Sequence, residues 1–158
     1  YLGPMIQRLS ESGIGGVVLF TRFFSPDFDI DKFEVVPSKT FSAPTDLPIS
    51  LRWIAIMAER VKCDLAASTG VHDGTAVIKQ LLAGANAVQV VSVLYKKDKG
   101  YIQEMLNTLA EWMNHKGFNS ISDFRGKMSQ AKSSNPAAYE RMQFMKYFGG
   151  KEFESLEG

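Results

Sequence analysis

The residues richest in possible chemistry lie between Ala67 and Gly74, read together with Val90 to Ser92. Ser68-Thr69-Gly70-Val71-His72-Asp73-Gly74 is a polar, glycine-containing stretch between a short apolar run and a helical one. A turn that leaves a strand and enters a helix exposes backbone N–H groups where the helix dipole is positive, and a glycine removes the Cβ that would hold an anion away. Two such turns in succession, here after Ser68 and after Val90, can grip one phosphate. Gly70 and Gly74 equally suit a tight turn with no ligand, and glycine content alone does not separate the two readings.

Other side chains carry less. Arg22 either presents a bidentate fork to a carboxylate or pairs with Asp27 or Asp29 on the surface. Cys63 stands just ahead of a strand and reads as a buried structural thiol. His72 follows the polar turn and reads as an exposed loop histidine, with a hydrogen bond to a cofactor as the alternative. His115 lies near a helix end, where it offsets the dipole, and Asp73 before Gly74 is the expected N-cap of the next helix. Lys96, Lys97 and Lys99 read as a solvated loop. No Cys/His spacing resembles a metal site, so no metal is expected.

The elements that must position these residues follow from periodicity. Gly3 to Ser12 is helical, with Met5, Ile6 and Leu9 on one face and Gly13 at its end. Gly15 to Phe20 is uniformly apolar, as a strand covered on both faces of a parallel sheet requires. From Thr21 to Pro48 the pattern is lost among Pro26, Pro37, Pro44 and Pro48, with only short extended pieces such as Phe33 to Val36. A connection of that length usually carries function or forms a small subdomain. Ile49 to Val61 is helical, Asp64 to Ser68 is a second strand, Thr75 to Ala83 is a helix capped by Gly84, and Ala87 to Val91 is a third strand. Strand, turn, helix and strand at this spacing make a parallel βαβ unit with a right-handed crossover. Tyr101, Met105, Leu109, Trp112 and Met113 form a helical stripe that stops at Gly117. A short piece spans Ile121 to Met128, and Ser134-Asn135-Pro136 opens a last helix to about Phe148, where Phe144, Met145 and Tyr147 pack it onto the body or form a subunit contact.

Composition narrows the classes. In 158 residues, 45% are hydrophobic and 22% charged, and 18 Lys and Arg against 17 Asp and Glu leave a net charge of +1. Such a chain folds as a globular domain without a field that gathers polyanions, which disfavours nucleic acid and membrane surfaces as partners. Its longest apolar runs are far short of the roughly 20 residues a membrane-spanning helix needs. A single cysteine and no export signal point to a reducing, cytoplasmic setting. The first residue is Tyr1, and the expectation is that the chain begins inside a longer protein.

Ser68-Thr69-Gly70-Val71, Leu82-Ala83-Gly84-Ala85 and Ala87-Val88-Gln89-Val90 together resemble the C-terminal signature of the dihydroorotate dehydrogenase family, flavin enzymes on a TIM barrel. Met113-Asn114-His115-Lys116-Gly117-Phe118, followed by Ser120 to Lys127, is similar to that family's C-terminal helix and the segment after it. Leu19-Phe20-Thr21-Arg22-Phe23-Phe24, with Pro26-Asp27, looks most like a dihydroorotate dehydrogenase-like branch.

The resemblance implies an α/β fold: residues 1–128 as about the last three βα units of a (β/α)8 barrel, with a small subdomain at 21–48, and 129–158 as a helical extension. It implies FMN as cofactor, with Ser68, Thr69, Gly70, Val91 and Ser92 at the phosphate. Thr69 stands where a glycine is usual, and Val91-Ser92 replaces a Gly-Thr pair. The family's substrate-binding asparagines are not matched by Leu19-Phe20-Thr21-Arg22, leaving Arg22 to meet a small anionic substrate. The implied reaction is oxidation of dihydroorotate or a related dihydropyrimidine-like anion, a CH–CH dehydrogenation of the kind used in pyrimidine biosynthesis. The family's general base and flavin-contacting lysine belong to earlier strands, so no catalytic residue is assigned. A phosphate-gripping barrel segment also suits a lyase, isomerase or synthase without flavin, or an inactive interaction fragment. Three parallel strands cannot close a barrel, so homo-oligomerisation or the rest of a longer chain is expected to cover the open sheet.

Overall fold

The computed structural model describes residues 2–21, 26–38 and 40–139. Helix α1 (Leu2–Ser10) leads into strand β1 (Gly16–Leu19). Strands β2 (Pro26–Asp29) and β3 (Glu34–Pro37) follow, then helix α2 (Leu47–Met57), strand β4 (Asp64–Ala67), helix α3 (Gly74–Ala83) and strand β5 (Ala87–Val88). Helices α4 (Ser92–Lys96) and α5 (Tyr101–Lys116) complete the main elements.

The main sheet is parallel in the order β1-β4-β5, with Val17 beside Leu65, Leu19 beside Ala67, and Ala67 beside Val88. Each connection crosses through a helix, as the βαβ reading required. Residues two apart share a face of a strand. Leu19, Leu65 and Ala67 pack with Ile6 of α1, Ile54, Ala55 and Met57 of α2, and Ala83 of α3, so these helices cover one face. The opposite face is bare among the described residues: Val18 is 41% exposed where Leu19 is 2%. Every helix that packs on β1 and β4 does so from the same side, which leaves the open face expected of three parallel strands that do not close a barrel.

Local chemistry explains the element ends. Asp73 Oδ1 accepts the Ala76 N–H at 2.7 Å, which makes it the N-cap of α3 as expected. Gly84 closes the same helix at φ 121°, and its N–H bonds to the carbonyls of Gln80 and Leu81. Gly117 does the same for α5 at φ 73°. Pro48, in the first turn of α2, starts that helix two residues before the sequence reading placed it. On the far side of α3, Ile78, Leu81 and Leu109 of α5 close around Phe124, which is fully buried.

Four expectations are corrected. The connection 21–48 contains a β2–β3 antiparallel hairpin, in which Phe28 opposes Val35. Sequence reasoning saw only the second strand, because Pro26, Asp27 and Asp29 are residue types depleted from strands. Pro26 and Pro37 sit at its ends, where a missing N–H is tolerated, and Asp29 Oδ1 accepts the N–H groups of Asp31 and Lys32 to form the turn. The third strand is shorter than Ala87 to Val91, since β5 pairs only with β4. Lys96 lies in the last turn of α4 rather than in a loop, and Cys63 is half-buried rather than buried. The helix expected to reach Phe148, with Phe144, Met145 and Tyr147, lies outside the described residues beyond a 3-10 turn at Pro136–Tyr139.

Candidate functional site

The C-terminal ends of β1 and β4 are tied together before they reach the site. The Leu19 carbonyl accepts the Ser68 N–H at 3.1 Å and the buried Ser50 hydroxyl at 2.7 Å, and Gln80 of α3 donates to Ser50 at 3.3 Å. One residue on, Thr69 Oγ1 donates to the Phe20 carbonyl at 2.7 Å. Gln89 N–H bonds the Ala67 carbonyl at 2.8 Å and carries the β5 end to the same level.

Beyond these ends lies a cleft of about 230 Å³ lined by Ser68, Thr69, Gly70, Val91 and Ser92, with Thr21, Thr40, Ser42 and Gln89 completing its wall. All five residues named from the sequence as a phosphate site thus meet in one place. Arg22, the sixth, lies outside the described residues, although its neighbour Thr21 lines the cleft.

The cleft is rich in donors and carries no charged side chain among its described lining residues. Thr69 and Gly70 both adopt φ 78°, so consecutive peptide groups curl in a left-handed turn. Among the described residues, the backbone N–H groups of Thr69, Gly70, Val91 and Ser92 have no hydrogen-bond partner.

Gly70 is needed for a different reason from the one its sequence context suggested. A Cβ at that position meets Leu47 N at 2.2 Å, so the glycine admits the start of α2 rather than the anion. Thr69, a β-branched residue at positive φ, is held by its bond to Phe20.

His72 is not an exposed loop residue. It is half-buried, and its Nε2 lies 3.3 Å from Ser42 Oγ, which in turn lies 3.0 Å from Ser92 Oγ. Sequence reasoning missed Ser42 and Thr40 entirely, since both sit in the proline-rich connection, Ser42 50 residues before Ser92, with no spacing signal to link them. His115 is in the last turn of α5, where the dipole reading put it. No group of three or more His, Cys, Asp or Glu among the described residues could hold a metal, and no described helix is long and apolar enough to cross a membrane.

Comparison with known proteins bears out the resemblance to dihydroorotate dehydrogenases. The chain is 36% identical over 59 residues to dihydroorotate dehydrogenase A (fumarate) of Lactococcus lactis subsp. cremoris, a match covering 37% of this chain and 19% of that one. It is 29% identical over 86 residues to the catalytic subunit of dihydroorotate dehydrogenase B (NAD(+)) of Pyrococcus horikoshii, covering 54% of this chain and 28% of the relative. The matches therefore span less than a third of the curated relatives' length. No family model matches. In fold, the ligand-free dihydroorotate dehydrogenase of Eimeria tenella superposes with a TM-score of 0.60 at 19% identity, over 77% of this chain and 34% of that one. The ferulenol complex of the same enzyme gives 0.61 at 18% identity, over 74% and 32%.

Proposed function

We propose that this chain is the phosphate-gripping C-terminal part of an FMN-dependent, dihydroorotate dehydrogenase-like oxidoreductase, comprising about the last three βα units of a (β/α)8 barrel in residues 1–128 and a helical extension in 129–158. The observation that carries this reading is that Thr69, Gly70, Val91 and Ser92, whose backbone N–H groups have no hydrogen-bond partner, line one hydroxyl-rich cleft. Such a donor set fits a phosphate monoester, and it lies at the C-terminal ends of parallel strands, where barrel enzymes place their sites. The volume suits the phosphate end of a nucleotide and not a whole flavin.

Bound there, FMN supplies hydride acceptance from a CH–CH bond of dihydroorotate or a related anion. This chain's own residues hold the phosphate through Thr69, Gly70, Val91 and Ser92, with the Ser68 side of the turn closing the wall. The dipoles of these N–H groups and hydroxyls meet the anionic charge without a cationic side chain among the described lining residues. Arg22, next to Thr21, is the candidate for an anionic substrate. The family's proton-abstracting group and flavin-contacting lysine belong, on the resemblance, to earlier strands.

Two features of the sheet support a larger barrel. Val18 on the uncovered face is 41% exposed, and an apolar groove of about 270 Å³ runs along β5 between Val77, Val88, Ile102 and Leu106. Remaining strands of the barrel, or a second copy in a homo-oligomer, would bury both. Half-buried, unpaired Cys63 suits a cytoplasmic protein.

Purification of the complete protein tests the proposal. The expected result is a yellow protein that releases FMN on denaturation. A colourless protein that takes up no FMN on titration overturns it, and binding of inorganic phosphate alone by that protein favours a non-flavin lyase or isomerase.

A further inference from the structure

The segment before α2 is fastened to helix α4 by two independent contacts. The Phe41 ring lies 5.1 Å from that of Tyr95, and the Ser42 N–H donates to Ser92 Oγ at 2.9 Å. Ser42 is only 7% exposed, yet it and Ser92 both line the cleft. Its hydroxyl links Ser92 Oγ at 3.0 Å to His72 Nε2 at 3.3 Å.

We propose that Ser42 is a positioning residue that turns the Ser92 hydroxyl into a donor toward the cleft, with His72 as the donor behind it. A serine hydroxyl has one proton and two lone pairs. Ser92 Oγ accepts the Ser42 N–H with one lone pair and the Ser42 O–H with the other. Its own proton is then left for an acceptor in the cleft. Ser42 can donate to Ser92 while its oxygen accepts a proton from His72 Nε2. The donors therefore run in one direction, from His72 to Ser42 to Ser92 and on to a ligand oxygen. A ligand oxyanion favours this order over the reverse, in which the imidazole accepts and the Ser92 hydroxyl faces Ser42. Hydrogen bonds to a charged acceptor are about twice as strong as neutral ones, so the aligned relay adds phosphate selectivity that the backbone N–H groups alone do not supply.

The inference rests on the proposed phosphate site and deepens it. Its test uses the complete apoprotein titrated with FMN, with riboflavin, which lacks the phosphate, and with inorganic phosphate. Ser42→Ala is expected to lower the preference for FMN over riboflavin by roughly tenfold, leaving riboflavin binding unchanged. Ser92→Ala is expected to give the same loss, and the double variant no further loss, since both act through one hydroxyl. His72→Gln, whose amide can still donate, is expected to keep most of the preference that His72→Leu loses. An unchanged FMN preference in Ser42→Ala, with a loss in Ser92→Ala, overturns the positioning role. If the wild type binds phosphate but no flavin, the FMN reading fails, and weaker phosphate binding in Ser42→Ala still supports the relay. If it binds neither, both fail. Unfolding curves for each variant separate a general loss of structure, which weakens riboflavin and FMN alike.

Discussion

Thr69 Oγ1 and the Phe20 carbonyl oxygen lie 2.7 Å apart and join residues 49 positions distant in the chain. The bond locks the turn after β4 onto the end of β1, and it does so from a threonine at φ 78°, a conformation that costs a β-branched residue of order 1–3 kcal/mol. Thr69→Val keeps the shape and the backbone cost but loses the bond, and is expected to lower stability by about 1 kcal/mol. Thr69→Gly loses the bond and the cost together, and is expected to be the milder change. Thermal unfolding of the two variants side by side checks the order, and a milder Thr69→Val refutes it.

Gly70 and Gly13 both adopt positive φ, 78° and 88°, but only one is crowded. A Cβ at Gly70 falls 2.2 Å from Leu47 N, whereas one at Gly13 meets nothing within 4 Å. Gly13→Ala is expected to cost about 1 kcal/mol, the backbone term alone. Gly70→Ala is expected to cost about 3 kcal/mol or more, because the start of α2 must move as well. Chemical denaturation of both variants reads the difference directly.

Phe124 anchors the packing of α5 on α3. It is fully buried, with its ring centroid 4.9 Å from Trp112 and 5.4 Å from Phe118. Truncation to alanine removes the transfer energy and leaves a cavity, so Phe124→Ala is expected to destabilise by about 3–5 kcal/mol. Trp112 fluorescence should report the loss of the ring contact in the folded variant. A cost below about 1 kcal/mol would show that the cluster collapses to fill the gap.

Asp123 gives the fold an acid-sensitive joint. The Ser120 backbone N–H, then the Ser120 hydroxyl, the Asn119 N–H and the Lys127 charge hold its carboxyl below the usual carboxylate range. A carboxylate whose pKa is depressed on folding stabilises the protein above its unfolded pKa, and the contribution fades as pH falls through the folded value. Asp123→Asn is therefore expected to unfold more readily than wild type at neutral pH and to match it in strong acid. Denaturant midpoints measured across that range test the sign, and a gap between the two proteins that widens on acidification contradicts it.

Asp73, Gly84 and Gly117 were legible as helix ends because caps act on their own backbone within a turn. The apolar runs Gly16–Leu19 and Asp64–Ala67 were legible as strands for the same local reason. That Ser68, Thr69, Gly70, Val91 and Ser92 meet in one cleft was legible because the two turns lie within 25 residues of each other in a βαβ unit whose geometry is restricted. Ser42 was not, and neither was its link to His72 and Ser92, since a hydrogen bond across 50 residues leaves no periodic trace in sequence. The role of Gly70 was likewise decided by tertiary structure, through the approach of Leu47. So was the bare face at Val18: an apolar run shows that a strand avoids water, but only the positions of α1, α2 and α3 show which of its two faces they cover. Local chemistry sets element ends and turn shapes, while contacts distant in sequence assemble the cleft, because they depend on where the folded chain brings separate elements together.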